Sequence, residues 1–226
     1  ELDNAIDHQD TVAVITRIRV DPDDPAFGDP TKFIGPVYDE QTAQALAAER
    51  GWAVKRDGEH WRRVVASPEP KQVVQLNAIR ELVEGGFLVV CAGGGGVPVV
   101  ATGERDEGVE AVIDKDLASG LLAVDLEADV LVLATDVDGV YEGWGTPEQR
   151  AIDRVSPAWL RRQRFSAGSM GPKVEAVCRF VESTGRRAAI GRLEDVAGLV
   201  AGKLGTQITS NVTEVEWRPR AREGNG

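Results

Sequence analysis

Basic residues are scarce in this chain of 226 residues, where 26 Lys and Arg face 37 Asp and Glu for a formal charge of -11. Nucleic acids and anionic membranes are bound by broad positive surfaces, so the deficit excludes both as partners. Any phosphate handled here must be met by a few placed lysines. Cysteine is nearly absent: Cys91 and Cys178 each sit in an apolar run, where a thiol behaves as a small hydrophobe. We therefore expect no disulfide framework, and a reduced, cytoplasmic setting. No stretch approaches about 20 uninterrupted apolar residues, and no basic start leads into an apolar signal core, so neither membrane insertion nor export is expected. The two histidines, His8 and His60, lie at no catalytic spacing and read as surface or structural. The one methionine is Met170 and the chain opens on Glu1 in a polar, helix-like stretch, so residue 1 is not expected to be the natural beginning.

What is present is an alternation of amphipathic helices and buried strands, the pattern of an α/β fold with a mostly parallel sheet covered on both faces. Residues 39–50 read as a helix closed by Gly51, and the strand-like runs either side of Asp57-Gly58 read as a hairpin. Pro70 and the spacing Val73, Leu76, Ile79, Leu82, Val83 predict a helix ending at Gly85-Gly86, followed by a buried strand over 87–92. Further predicted elements are a helix over 116–126, a strand over 130–134, a short helix opening at Ser156-Pro157, a longer one opening at Pro172 and closing at Gly185, a strand over 188–190 and a helix over 195–201. From Ser210 onward the chain is polar, carries Arg218, Arg220 and Arg222, and reads as a loosely held tail.

Five segments have the residue types that phosphate chemistry needs. Gly93-Gly94-Gly95-Gly96 follows a buried strand, and with no Cβ in the way its N–H groups can turn toward an anion. It matches neither the Walker nor the dinucleotide fingerprint, since Pro98 stands where the latter needs glycine. Asp114-Lys115-Asp116 lies at a helix start, either as ordinary capping or as a lysine held toward phosphate by flanking carboxylates. Thr135-Asp136-Val137-Asp138-Gly139-Val140-Tyr141 runs off the end of a hydrophobic strand, where ligands collect in open α/β sheets. Gly168-Ser169-Met170-Gly171-Pro172-Lys173 leads into a helix whose donors and positive end coincide with a lysine. Lys32, in a long proline-restricted loop before Gly35-Pro36, reads either as presented on an ordered lid or as an ordinary exposed lysine.

Taken in order, Asp24-Pro-Ala-Phe, Pro30-Thr-Lys, Trp61-Arg-Arg-Val-Val, Ser67-Pro-Glu-Pro, the Gly93 to Gly96 run, Asp114-Lys-Asp-Leu-Ala-Ser, Thr135-Asp-Val-Asp-Gly-Val-Tyr and Gly168-Ser-Met-Gly-Pro-Lys resemble the carbamate kinases of the amino-acid kinase family. The resemblance implies a doubly wound open αβα sandwich with a small protruding subdomain. Residues 1–66 would be the end of a helix and this substrate lid, 67–209 the nucleotide-binding core, and 210–226 a flexible tail to which no role is assigned. It implies ADP or ATP as substrate, with carbamoyl phosphate or carbamate as the other. Magnesium would be held mainly by phosphates with no dedicated protein metal site, and the assembly would be a homodimer.

Roles follow from the same likeness. Lys173 resembles the lysine lying between donor and acceptor phosphoryl groups, Lys115 a nucleotide-phosphate ligand, and Asp116 the carboxylate that holds the lysines. Thr135, Asp136, Val137, Tyr141 and Met170 resemble residues around the nucleotide, Gly93, Gly94, Gly95 and Gly96 the loop facing the phosphoryl group, and Lys32 the lid's contribution. The family also has a first strand ending in a Gly-Gly-Asn-Ala turn and a His-Gly-Asn-Gly-Pro-Gln segment, and neither string occurs here. The resemblance therefore leads to the expectation that an amino-terminal part with the first strands is absent and that the chain as given is inactive. Acetylglutamate-type or uridylate-type kinases, and a non-catalytic nucleotide-binding remnant, are the alternatives.

Overall fold

A computed structural model describes residues 9–166 and 168–219; His8, Ala167, Arg220 and Arg222 lie outside the described residues. The chain divides after Ala118 into two compact units.

The first unit runs through β1 (Thr11–Ala13), β2 (Arg17–Arg19), β3 (Lys32–Tyr38), α1 (Glu40–Arg50), β4 (Ala53–Asp57), β5 (His60–Val65), β6 (Gln72–Val73), α2 (Leu76–Glu84), β7 (Leu88–Val90), β8 (Val97–Thr102) and β9 (Arg105–Gly108). Helix α1 begins where Asp39 accepts a hydrogen bond from the Thr42 N–H and ends at Gly51, whose φ of 67° is a conformation that costs glycine little. It packs on the antiparallel sheet β3-β5-β4. The turn at Gly58 closes β4 onto β5, with Asp57 opposite His60. A second sheet, β6-β2-β8-β9, and the parallel pair β1-β7 complete the unit. Ile18, Val64, Val73, Ile79, Val99 and Ile113 are among its buried apolar residues.

Helix α3 (Lys115–Asp125) carries the chain into the second unit, made of β10 (Val130–Thr135), β11 (Tyr141–Glu142), β12 (Arg150–Val155), α4 (Pro157–Leu160), α5 (Met170–Thr184), β13 (Arg187–Arg192), α6 (Val196–Val200), β14 (Thr206–Ile208) and β15 (Glu216–Trp217). The sheet order is β10-β13-β14-β12-β11, with β15 paired to β12. Helix α5 buries Val174, Val177, Phe180 and Val181 and packs against β13 and β10. On α3, a Cβ added to Gly120 would lie 3.1 Å from that of Ala176, so the missing methyl lets these two helices approach closely.

The α/β class expected from the sequence is observed, but four details differ. The sheets are mixed: β10-β13, β12-β14, β2-β8 and β1-β7 are parallel, while β13-β14, β8-β9, β3-β5 and β4-β5 are antiparallel. Tight turns can join only antiparallel neighbours, and the chain spends glycines on such turns at Gly58 and Gly103. Val73 lies in strand β6, so the helix predicted from Pro70 begins only at Leu76. Lys32 opens strand β3 and does not lie in a loop, because Pro36 falls at an irregularity of the β3-β5 ladder, where a lost N–H costs nothing. The described part of the expected loose tail is anchored: β15 pairs with β12, and Arg218 forms an ion pair with Asp138.

Candidate active site

In the second unit, hydrophobic strand β10 ends on Thr135, and the chain turns through Asp136, Val137 and Asp138 before β11 begins at Tyr141. Beside this turn lies a cavity of about 540 Å³, lined among others by Thr135, Asp136, Val137, Tyr141, Trp144 and Met170. Every cavity residue expected from the strand-end motif and from the residue opening α5, apart from the lysines, is thus gathered around one space. The polar groups are ordered. Thr135 Oγ1 donates to Asp136 Oδ1 at 3.0 Å, and the Tyr141 hydroxyl donates to Asp138 Oδ1 at 2.7 Å. Burial, then the hydrogen bond and charge of Asp138, push the Tyr141 phenol above its ordinary range, so it remains a neutral donor.

The backbone of the turn is fixed from behind. Thr206 Oγ1, fully buried on β14, accepts from the Val140 N–H at 2.8 Å and donates to the Ile152 carbonyl at 2.7 Å. Helix α5 starts at Met170, two residues before the predicted opening at Pro172, since proline is tolerated in a first turn whose N–H groups have no intrahelical acceptor. Lys173 is 8% exposed on that first turn.

In the first unit, Gly93–Gly95 form a single tight turn after β7, entered through Ala92 at φ 51°. Buried Thr16 sets this turn by accepting from the Ala92 N–H at 2.9 Å while donating to the Val14 carbonyl at 3.0 Å. The four glycines are not equivalent. A Cβ on Gly95 would lie 2.2 Å from the Ile113 carbonyl oxygen and one on Gly96 2.7 Å from Ile18 Cγ1, whereas Gly93 and Gly94 face open space. Half of the run is needed for close packing, and the other half leaves backbone accessible.

Immediately after Ile113, the Asp114 carboxylate does two jobs. One oxygen accepts from the Asp116 N–H at 2.9 Å at the start of α3, and the other accepts from Lys32 Nζ at 2.9 Å. Burial acts to raise the Asp114 carboxyl, but Lys32 and the helix N–H groups outweigh it and hold the group below its ordinary range. The first unit therefore brings Lys32, the glycine turn and the 114–116 corner together. Asp116 is nearly buried, and neither it, Lys115 nor Lys173 stands free of partners in the folded chain.

Several residues escaped the reading of the sequence. Asp114 was visible as a cap or as a carboxylate flanking Lys115, but not as the partner of Lys32, since that ion pair spans 82 positions and has no local signal. Trp144, 63% exposed and edge-on to Tyr141 at 5.1 Å, and Arg164, Phe165 and Ser166 also line the cavity. In the sequence, a tryptophan between Gly143 and Gly145, outside any apolar run, is the cue that could have marked this rim.

The model of the amino acid kinase family matches residues 31–192. The chain belongs to that family. Within it, the chain is 50% identical over 221 residues to the carbamate kinase of Rhizobium meliloti, covering 96% of this chain and 68% of that protein. It is 53% identical over 196 residues to the carbamate kinase of Escherichia coli K12, covering 87% of this chain and 65% of that one. The solved carbamate kinase of Giardia lamblia bound to AMP-PNP superposes with a TM-score of 0.82 at 37% identity, over 91% of this chain and 67% of the other. These family members are thus matched over about two thirds of their own length.

Proposed function

We propose that the polypeptide carrying this chain is a carbamate kinase, moving a phosphoryl group reversibly between carbamoyl phosphate and ADP to give ATP and carbamate. The observation that carries the reading is the cavity at the end of β10, where Thr135, Asp136, Val137, Tyr141 and Met170 converge beside the helix start that bears Lys173. It is supported by the likeness to a carbamate kinase that binds AMP-PNP.

In this reading the cavity takes the nucleotide. Lys173 sits at the transferring phosphoryl group, where a nearly buried cation in low dielectric offsets charge as it spreads in the transition state. Lys115 meets the nucleotide phosphates, and Asp116 keeps the lysines in place. Gly93 and Gly94 offer unobstructed backbone donors to the phosphoryl group, with Gly95 and Gly96 supporting the turn from behind. Lys32, steadied by Asp114, is the contribution of the lid, and the small sheet β3-β5-β4 with α1 is that lid's body. No side-chain base is required when carbamoyl phosphate is the donor, because the attacking atom is already a phosphate oxygen.

Magnesium would supply further charge cancellation. Its shell would be filled mainly by phosphate oxygens. A cytoplasmic setting goes with this reading and is supported by two unpaired cysteines, and no described helix is long and apolar enough to cross a membrane. A homodimer goes with it by likeness to the family.

The test, made on the whole polypeptide that carries this chain, is ATP formation from carbamoyl phosphate and ADP in a coupled assay, with N-acetylglutamate and UMP offered with ATP as rival acceptors. Turnover with carbamoyl phosphate alone is expected. Faster transfer to either rival would transfer the assignment, and tight ADP binding without turnover on any substrate would favour a non-catalytic binder.

A further inference from the structure

The residues after Ile208 had no role in the sequence, yet one of them, Arg218, reaches Gly139 in the wall of the nucleotide cavity. Strand β15 pairs antiparallel with β12, and the Arg218 N–H continues the ladder by donating to the Ala151 carbonyl at 3.0 Å. Trp217 locks this segment, with the Arg150 guanidinium 4.1 Å from its ring centroid and Trp159 edge-on at 6.0 Å. So anchored, Arg218 places its fork on Asp138. Nη1 donates to Oδ2 at 2.7 Å and Nη2 to the main-chain oxygen at 2.8 Å. The remaining Asp138 oxygen accepts from the Tyr141 hydroxyl. A Cβ on Gly139 would lie 2.2 Å from Arg218 Nη2, so the guanidinium occupies the space that glycine leaves.

We propose that Arg218 is a positioning residue for the nucleotide cavity, its fork holding Asp138 and Asp138 in turn holding the Tyr141 ring in place before ligand arrives. This rests on the nucleotide reading of that cavity. Tyr141 is the shared wall: it lines the 540 Å³ cavity and also a second one of about 980 Å³, whose lining includes Asp138, Trp217 and Arg218. Without the fork, Asp138 is free to turn toward water, the phenol loses its fixed acceptor, and ligand binding must pay to order the ring. Two parallel donors from separate nitrogens suit the rigid plane of a guanidinium, whereas a lysine ammonium presents its donors from a single nitrogen on a flexible stem. The turn as a whole does not depend on Arg218, because Thr206 grips Val140 independently.

The decisive measurement is ADP affinity by calorimetry, with thermal unfolding of the same samples, for the native chain, Arg218→Ala, Arg218→Lys, Tyr141→Phe and the Arg218→Ala/Tyr141→Phe pair. Expected are a roughly tenfold loss for Arg218→Ala, a smaller one for Arg218→Lys, and a double variant little weaker than the worse single, since both changes break one chain of contacts. Unfolding midpoints should stay close to native. Native affinity in Arg218→Ala, or losses that multiply in the double variant, would overturn the proposal. If Arg218→Ala does not fold, Arg218→Lys decides: weakened binding at a native midpoint supports the role and native affinity removes it. Absence of ADP binding by the native chain would instead sink the nucleotide reading, and this inference with it.

Discussion

Two side chains show how local environment sets chemistry. Lys173 is nearly buried at the first turn of α5, so its charge is little screened. Lys173→Ala in the active polypeptide should lower kcat about a hundredfold, near 3 kcal/mol, with a smaller rise in KM for ADP. Steady-state kinetics check this, and unchanged turnover would take Lys173 out of the chemistry. Asp114 makes a stability prediction. Its folded carboxyl is held below 3.8, so its contribution is fully present above that pH and is lost as pH falls through the folded value. Asp114→Asn should cost about 1–3 kcal/mol at neutral pH. In urea unfolding the gap between native and variant should close as the pH falls far enough to protonate the folded carboxyl, and a gap that persists there would mean that the Lys32 and helix contacts do not need the charge.

At the scale of elements, the glycine turn after β7 separates packing from function. Gly95→Ala meets the Ile113 carbonyl in a backbone at φ 103°, a clash with main chain that no side-chain movement relieves, and should destabilise by about 3 kcal/mol or more. Gly93→Ala meets nothing within 4 Å and should leave the unfolding midpoint near native. If the turn faces the phosphoryl group, Gly93→Ala should nevertheless slow transfer, and a variant with native rate would relieve that glycine of its assigned role. The same turn shows what was legible. Four glycines after a hydrophobic strand marked a tight turn as a candidate anion site, but which of them packing requires depends on Ile113, Ile18 and Thr16, which lie elsewhere in sequence. Strand β3 shows the converse: its proline and glycine read as loop, and only the ladder to β5 makes it a strand.

Across the whole molecule, burial governs the two thiols. Cys178 is fully buried, and burial pushes its thiol up to about 12; Cys91 is also raised by burial but is partly exposed. Because the thiolate is the reactive form, Cys178 should resist alkylation in mildly alkaline buffer until the chain unfolds, while Cys91 labels slowly from the native state. Mass spectrometry across a urea titration checks the order, and prompt native-state labelling of Cys178 would contradict its packing. Loss of Cys178 protection should coincide with unfolding of α5, whose buried Val174 and Val181 lie on the same face one turn to either side.

The sequence alone determined the α/β class, the helices, strands β4, β5, β7, β10 and β13, and the strand-end motif around Thr135 and Tyr141, because each rests on short-range chemistry: period, capping and turn residues. Tertiary structure alone decided that Asp114 answers Lys32, that Thr206 and Arg218 steady the turn at Val140 and Asp138, and that Glu216, Trp217 and Arg218 are anchored. Those contacts join residues more than sixty positions apart. No propensity records such a partner, and a polar or charged side chain looks the same in sequence whether it ends in water or on a carboxylate across the fold.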